Sequence, residues 1–294
     1  MQKVFLSNGQ CLSSNADDYC PTLTSFSDGE ISINLDGLEL SKKSFLVIQS
    51  LFGSHQNIIE LLLSIDVISR NSSAPIHLLI PYLCYSRQDR EISQYAPFSG
   101  KVIADLLSHK SISTISIVDL HSPQIQGFFQ KPCFNILLES FILEHICANY
   151  NMQDIAICAA DIGGAKFARK IADNLSVESI TVEKTRSSAG VSQAVSVVGK
   201  PQNKICIIVD DMIDTAGTLC NASDILMKNG AKAVVAYATH GIFSGNALPK
   251  INNSSLQNIF VSNTITHASY PSKIIQLNVS DFIINAAIKR IKEF

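Results

Sequence analysis

Two adjacent carboxylates, Asp210 and Asp211, follow an apolar run at residues 205–209 that is rich in β-branched types. Such a run predicts a buried strand. A loop of small and polar residues at 214–218 comes next and leads into a helical pattern beginning near Leu219. Backbone amides and hydroxyls at a helix N-terminus can hold a phosphate, and paired carboxylates can contact sugar hydroxyls or hold a divalent cation. The stretch therefore predicts a sugar-phosphate site. An ordinary strand–turn–helix connection is the alternative, although helix capping would need only one polar side chain.

A second group of polar side chains follows another predicted strand. Arg87, Gln88 and Asp89 come shortly after a buried run at 76–80. In open α/β sheets, ligands bind at the carboxyl ends of strands. Arginine forks suit phosphate oxygens, and amide or carboxylate groups can contact a base edge. A surface loop with salt bridges is the alternative for these residues.

Two single side chains lie in similar positions. His121 lies at the end of a predicted strand that begins at Thr114, and Asp161 follows a strand and precedes a glycine pair at 163–164. A histidine at a strand end can bind a metal ion or a phosphate.

A polar segment at 183–190 carries Lys184 and Arg186 between two strand-like stretches. Residues two apart in an extended segment face the same side, so both cations could reach one anion. The serine and glycine content indicates a mobile loop that could close over phosphates. A solvated hairpin is the alternative.

Composition limits the class of protein. Hydrophobic residues make up 46% of the 294 residues, charged residues 16%, and the net charge is −2. Because no Lys/Arg run occurs, we expect neither a nucleic-acid nor a membrane partner. The chain shows no apolar run of the ~18 residues that a membrane span needs, no signal-peptide core, no Walker A sequence and no G-x-G-x-x-G. The eight cysteines form no C-x-x-C pair, which favours buried thiols in a reducing cytoplasm.

Strands alternate with helices along the chain, which predicts parallel sheets with helices on both faces. Similar apolar runs end in Asp119 and Asp210 in the two halves. We therefore expect two similar α/β domains, at residues 1–142 and 143–294, with a boundary in the region 139–150.

Taken in order, these motifs resemble the ribose-phosphate diphosphokinase family, the synthetases of phosphoribosyl diphosphate (PRPP), over nearly the whole chain. The matching segments are 26–30, 81–90, 118–129, 161–164, 184–186, 205–219 and 238–247. Phosphoribosyltransferases share only the 205–219 segment. The resemblance implies two type I phosphoribosyltransferase-like domains, each a mainly parallel sheet flanked by helices. It also implies Mg²⁺-dependent transfer of the diphosphoryl group of ATP to the anomeric hydroxyl of ribose 5-phosphate, which gives PRPP and AMP.

The resemblance assigns roles to individual positions. Lys184 and Arg186 match catalytic positions, and Arg186 also contacts ribose 5-phosphate. His121 and Asp161 match magnesium-associated positions. The ATP-binding positions are Phe26, Asp28, Gly29, Glu30, Arg87, Gln88 and Asp89, of which the turn at 28–30 contacts the adenine bound in a neighbouring subunit. The ribose 5-phosphate positions are Arg186, Asp210, Asp211, Asp214, Thr215, Ala216, Gly217 and Thr218. A homo-oligomer built from dimers, such as a hexamer, is the expected assembly, in the cytoplasm.

The chain departs from the family pattern in three places. It reads Glu-Lys-Thr-Arg-Ser at 183–187, where the family usually has Asp-Lys-Arg-Arg-Pro, and Ala159-Ala160 stands in place of Ser-Pro. The segment 91–100 has no basic residue, whereas many family members carry arginines there, in a site for activating phosphate and inhibiting ADP. We hypothesise a competent enzyme without that regulation. The alternatives are a non-catalytic regulatory relative and, less favoured, a phosphoribosyltransferase.

Overall fold

The computed structural model of the chain describes residues 1–14, 18–185 and 194–294. These residues form two compact units. The first comprises residues 1–137, 263–266 and 278–294, and the second comprises residues 138–262 and 267–277. The sequence-based limits of 1–142 and 143–294 remain a proposal about folding domains. The two compact units differ from these limits because the last residues of the chain, 278–294, belong to the first unit.

Most of the strands are rich in β-branched and aliphatic residues. In chain order they are β1 (Gln2–Phe5), β2 (Thr22–Ser25), β3 (Ile31–Asn34), β4 (Phe45–Ile48), β5 (Ile76–Ile80), β6 (Ile112–Val118), β7 (Cys133–Ile136), β8 (Ile155–Ala159), β9 (Glu178–Thr185), β10 (Ala194–Val198), β11 (Ile205–Ile213), β12 (Ala233–Gly241), β13 (Asn258–Ser262) and β14 (Ile274–Leu277).

The helices of the described residues lie between these strands. In chain order they are α1 (Gln56–Asn71), α2 (Ser99–Leu107), α3 (Glu139–Asn149), α4 (Ala165–Leu175), α5 (Gly217–Lys228), α6 (Ala247–Asn252) and α7 (Ser280–Glu293). Short 3₁₀ turns occupy Ser7–Leu12, Pro123–Phe128 and Met152–Asp154.

In the first unit, five parallel strands form a sheet in the order β1-β4-β5-β6-β7, and β2 and β3 form a separate antiparallel hairpin. Helix α1 buries the apolar stripe that its 3.6-residue period predicts, with Ile58, Leu61, Ile65 and Ile68 inside the core and Leu62 partly exposed. Helix α7 packs against β5, β6 and β7. This packing explains why the end of the chain belongs to the first unit.

In the second unit, seven strands follow the order β10-β9-β8-β11-β12-β13-β14. Every neighbouring pair is parallel except β10 and β9, which form an antiparallel edge. Strand β11 lies in the middle of the sheet, so its carboxyl end opens at the centre of the edge where ligands bind in such folds. The predicted mainly parallel α/β architecture is therefore present in each unit.

Two element limits differ from the sequence-based expectation. Helix α3 covers 139–149, where the sequence predicts only a domain boundary. Its apolar side chains are spread around the helix, with Ile142 and Ile146 buried but Phe141 and Leu143 only partly so, and therefore leave little periodic signal. Helix α5 begins at Gly217 instead of near Leu219. The sequence does not predict this earlier start, because Gly217 and Thr218 are not apolar and add nothing to the periodic pattern.

His77 is a buried core histidine whose Nδ1 lies 2.8 Å from the Thr114 hydroxyl. The eight cysteines are free thiols. Cys158 and Cys206 are buried in β8 and β11 as expected, but the expectation of burial is wrong for Cys11, Cys20 and Cys147, which are exposed. Within the described part of the chain, no helix combines the length and the apolar character that crossing a membrane requires.

Candidate active site

The paired carboxylates lie inside β11, which extends further than the apolar run predicts. Pairing of β11 with β8 ends at Ile208, whereas pairing with β12 continues to Ile213. Asp210 and Asp211 therefore follow the point where β8 leaves the ladder. The strand holds their backbone in place on the β12 side, and β8 does not pair with them on the other side.

The Asp210 carboxyl group has a pKa well above its ordinary value. Its carboxylate accepts a hydrogen bond from the amide of Asp211 at 2.9 Å. Burial, followed by the negative charge of Asp211 and with a further contribution from Asp161, raises the pKa of Asp210 to about 8. Asp161, which follows β8, is thus close enough to act on Asp210 electrostatically. The charges of Asp211 and Asp161 thus oppose the ionisation of Asp210, and a bound cation or a set of hydroxyl donors would relieve that repulsion.

The loop after β11 forms the N-terminus of α5. Ala216 lies at the N-cap with a left-handed backbone (φ 58°) and is buried, while Thr215, Gly217 and Thr218 are exposed. The amide of Cys220 donates to the carbonyl oxygen of Ala216 at 3.0 Å and opens the helical ladder. The amides that precede Cys220 in this helix point out of its first turn, where the helix dipole favours an anion. This geometry fits a phosphate group.

A neighbouring segment at residues 241–245, which we call the brace, holds this loop. The amides of Ile242 and Phe243 both donate to the carbonyl oxygen of Ile213, at 2.9 and 3.0 Å. The amide of Ser244 donates to the Asp214 carbonyl at 3.1 Å, and its hydroxyl donates to the Asp214 carboxylate. Asp214 is thus anchored by backbone and side chain at once.

Of the two predicted catalytic cations, Lys184 has a described backbone position. Lys184 lies near the end of β9, with its backbone paired to Val195 of β10. The two strands form an antiparallel hairpin, as the strand-like flanks of the segment predict. Arg186 and the rest of the expected mobile loop, up to Gly190, lie outside the described residues.

The predicted adenine-binding turn lies at the tip of the hairpin of β2 and β3. Gly29 has a left-handed backbone (φ 90°), and its amide donates to the Phe26 carbonyl at 3.1 Å. The Asp28 carboxylate accepts from the amide of Glu30 at 3.0 Å. Phe26, Asp28, Gly29 and Glu30 are all exposed. The turn therefore presents its side chains outward on an ordered backbone.

The second predicted ATP-binding segment connects β5 to α2. The side-chain oxygen of Gln88 accepts from the Ser99 hydroxyl at 2.5 Å, and its carbonyl accepts from the amide of Gly100 at 3.0 Å. Arg87 is exposed and Asp89 is partly buried. A Cβ at Gly100 would lie 3.3 Å from the Gln88 carbonyl oxygen, so the close approach of this segment to α2 favours glycine there.

The two predicted magnesium positions lie in different units. His121 is exposed just after β6, and the preceding Leu120 amide donates to the Asn135 side chain at 3.0 Å. Asp161 is exposed after β8, and its carboxylate accepts from the amide of Gly164 at 3.2 Å. Among the described residues, no group of three His, Cys, Asp or Glu side chains has the arrangement of a metal cage. Mg²⁺ sites that use one or two carboxylates with substrate phosphates need no such cage.

Comparison with known proteins gives the family. A family model described as the N-terminal domain of ribose phosphate pyrophosphokinase matches residues 15–110, and one described as the phosphoribosyl synthetase-associated domain matches residues 159–294. The chain is 38% identical to the ribose-phosphate pyrophosphokinase of Vibrio cholerae over 92% of this chain and 87% of that protein. The chain belongs to the ribose-phosphate pyrophosphokinase family. The enzyme of that name from Wolinella succinogenes is 39% identical, over 88% of this chain and 84% of its own length.

A solved structure supports the same assignment for this pyrophosphokinase family member. The phosphoribosylpyrophosphate synthetase of Mycobacterium smegmatis superposes with a TM-score of 0.87 at 28% identity, and each chain is covered completely. The resemblance and the fold class predicted from the motifs are thereby confirmed. Diphosphokinase and pyrophosphokinase are two names for the same family.

The structure also reveals side-chain contacts near the predicted ATP-binding segments that the sequence does not predict. The Gln56 side chain donates to the Gly29 carbonyl at 3.3 Å, and the rings of His55 and Tyr85 stack with centroids 5.9 Å apart. The N-terminus of α1 thus touches both predicted ATP-binding segments. Ser244 is a further example: it lies in a matching motif, but only the fold shows that it holds Asp214.

Proposed function

We propose that the chain is an ATP-dependent ribose-phosphate diphosphokinase, which converts ribose 5-phosphate and ATP to PRPP and AMP. Its family membership supports this activity. The single structural observation that carries the proposal is the position of two carboxylates and a phosphate-binding loop along one stretch, 210–218, at the carboxyl end of the central strand β11.

Ribose 5-phosphate binds in this proposal across that stretch. The 5-phosphate takes the exposed amides and hydroxyls of Thr215, Gly217 and Thr218 at the N-terminus of α5. The ribose hydroxyls donate to Asp210 and Asp211. Hydroxyl donors favour a charged carboxylate, so they offset the burial that raises the pKa of Asp210.

A magnesium ion fits the chemistry of the residues present. The carboxylate of Asp161 adds to the charge repulsion at Asp210, and oxygen ligands are those that Mg²⁺ prefers. His121 is assigned as a second magnesium-associated position, and we assign Asp161 to hold the ion together with ATP oxygens. When bound, it neutralises the negative charge that the phosphate oxygens carry.

The transfer itself needs placement more than covalent chemistry. The anomeric hydroxyl oxygen attacks the β-phosphorus of ATP, the bond from that phosphorus to the oxygen bridging to the α-phosphate breaks, AMP leaves, and the hydroxyl proton is released. Lys184 and Arg186 stabilise the phosphate oxygens during this charge redistribution. Arg87, Gln88 and Asp89 are assigned to ATP binding.

The turn at 26–30 is proposed to contact adenine. Its exposed side chains, with 52% of the Phe26 surface accessible, are available to the adenine bound by a second copy of the chain. The proposal thus includes a homo-oligomer, which we expect to be built from dimers and to lie in the cytoplasm. Light scattering after size-exclusion chromatography would measure the mass of the oligomer.

One incubation tests the activity. The protein is mixed with ATP, Mg²⁺ and ribose 5-phosphate, and AMP and PRPP are followed over time. Formation of both supports the proposal. Their absence would favour the non-catalytic relative. Thermal protection by PRPP with a purine or pyrimidine base, but not by ATP, would favour a phosphoribosyltransferase.

A further inference from the structure

The brace at 241–245 contains a backbone conformation that needs support. Phe243 has φ 49°, in the left-handed region, and its side chain is buried. A bulky residue in that region is strained and persists only where its surroundings enforce it. The amide of this same residue binds Ile213, directly before Asp214. The position of the phosphate loop therefore depends on what holds Phe243.

The ring of Phe243 folds back over its own chain. A Cβ built at Gly241 would lie 2.5 Å from Phe243 Cε2, so only glycine admits the ring there. Gly241 is the last residue of β12. The Gly241 carbonyl and the Phe243 ring both contact one neighbour.

That neighbour is His267. Its Nε2 lies 2.8 Å from the Gly241 carbonyl oxygen, and its ring centroid lies 5.7 Å from that of Phe243. Because a carbonyl oxygen only accepts, Nε2 must carry the proton. Tyr270 orients the histidine: its hydroxyl accepts from the His267 amide at 3.2 Å, and the two rings lie 5.5 Å apart at 74°. Tyr270 also contacts the Phe243 ring.

We propose that His267 is a positioning residue for the ribose 5-phosphate site, acting through Gly241 and Phe243 to hold the brace against Ile213 and Asp214. This inference rests on the proposed function of the loop at 214–218. The contacts run from the His267 ring to the Gly241 carbonyl, from the brace amides to Ile213, and from Ser244 to Asp214. All of these residues belong to the second unit.

The effect should appear in ground-state binding. A loop that is already in its bound conformation binds without a further ordering cost. The contacts described for His267 lead to the brace, so its loss should weaken the affinity for ribose 5-phosphate and raise KM while kcat changes little. Losing one hydrogen bond of ordinary strength corresponds to a Kd increase of about three- to tenfold.

Two amide variants separate positioning from general disruption. The side-chain nitrogen of Gln extends as far as Nε2 of histidine, whereas that of Asn extends only as far as Nδ1. His267→Gln therefore keeps a donor for the Gly241 carbonyl, and His267→Asn loses it, although both variants remove the ring. His145→Ala is the control, since His145 is another half-buried histidine of the same unit whose ring makes one 2.8 Å hydrogen bond, to the Tyr237 hydroxyl.

The measurements are the calorimetric Kd for ribose 5-phosphate and the steady-state KM and kcat of each variant, with the thermal midpoint as a check on folding. The expected result is a Kd about three- to tenfold higher in His267→Asn, and close to wild type in His267→Gln and His145→Ala. Equal affinity of the Asn and Gln variants would overturn the inference, and so would an equal loss in His145→Ala. If the wild-type protein binds ribose 5-phosphate but forms no AMP, the proposed function fails while the calorimetric comparison still decides the role of His267.

Discussion

Ser244 is joined to Asp214 by two hydrogen bonds, one from its amide to the Asp214 carbonyl oxygen at 3.1 Å and one from its hydroxyl to the Asp214 carboxylate. The two residues are far apart in sequence and meet because β12 runs beside β11 as far as Gly241. Asp214 opens the loop that we assign to the 5-phosphate. The pairing of two parallel strands thus sets the geometry of the substrate site.

Replacement of Ser244 by alanine should weaken ribose 5-phosphate binding. The Ser244→Ala variant keeps the backbone bond and loses the bond to the carboxylate, so Asp214 can rotate out of position. A charge-assisted bond of this kind contributes about 1.5–3 kcal/mol, and the expected rise in KM is roughly tenfold or more. Steady-state kinetics with varied ribose 5-phosphate would measure it.

Ser255→Ala is the matched control for that experiment. Ser255 also donates its hydroxyl to an aspartate, Asp224, at 2.5 Å on the exposed side of the same unit. Since this pair lies away from the phosphate loop, KM should stay near wild type. A comparable KM rise in both variants would show that loss of any serine–aspartate contact is enough, and the anchoring role of Ser244 would then be wrong.

Lys184→Ala should nearly abolish turnover while the protein stays folded. Loss of one electrostatic contact to the reacting phosphates typically costs about 10²–10³ in rate. Lys232→Ala removes an exposed lysine elsewhere in the second unit and should leave kcat unchanged. Single-turnover AMP formation, with circular dichroism as the folding check, would measure the effect. Near-normal turnover in Lys184→Ala would exclude the catalytic role.

The initial rate should not depend on added inorganic phosphate. Arginine and lysine are the common side-chain donors to phosphate in regulatory sites, and the segment 91–100 has neither. In the structure its side chains include the exposed Ile92, Tyr95 and Phe98. Initial rates measured at several phosphate concentrations, with and without ADP, would check this. Strong activation by phosphate would show that the regulatory site exists despite the altered sequence.

Acidification should destabilise the protein partly through His77. Burial lowers the pKa of His77 below its ordinary value of 6.5. Below pH 6.5 the unfolded chain therefore binds a proton that the folded chain resists, and the free energy of unfolding falls as the pH decreases through this range. His77→Asn keeps a partner for Thr114 without titrating, because its amide reaches as far as the Nδ1 atom that makes this contact. Its urea midpoint should change less between pH 7.5 and 5.5 than that of the wild type, and an equal change in both proteins would contradict the assignment.

Much of the fold follows from local patterns. The range of α4, 165–175, and the buried face of α1 follow directly from apolar periodicity, and β5 and β8 follow from short continuous apolar runs. Parallel sheets follow from the alternation of strands and helices. Helix α3 could not be predicted because its apolar residues are not gathered on one face. The true end of β11 could not be predicted either, because it depends on pairing with β12.

The sequence likewise predicts one part of the candidate site and not the other. Asp210, Asp211 and the loop at 214–218 could be located from residue type and order, because a strand, two carboxylates and a helix start are adjacent in sequence. The raised pKa of Asp210 depends on burial and on Asp161, which is distant in the chain. The support from Ser244, Phe243 and His267 depends on tertiary contacts and left-handed backbone that no local pattern encodes.

The most direct test of the central claim is the fate of the β-phosphate of ATP. ATP labelled at that phosphorus is incubated with the protein, Mg²⁺ and ribose 5-phosphate, and the products are separated and counted. The account predicts that the label moves to PRPP, in an amount equal to the AMP formed. Label recovered in ADP, or remaining in ATP under all conditions, would contradict diphosphoryl transfer by this chain.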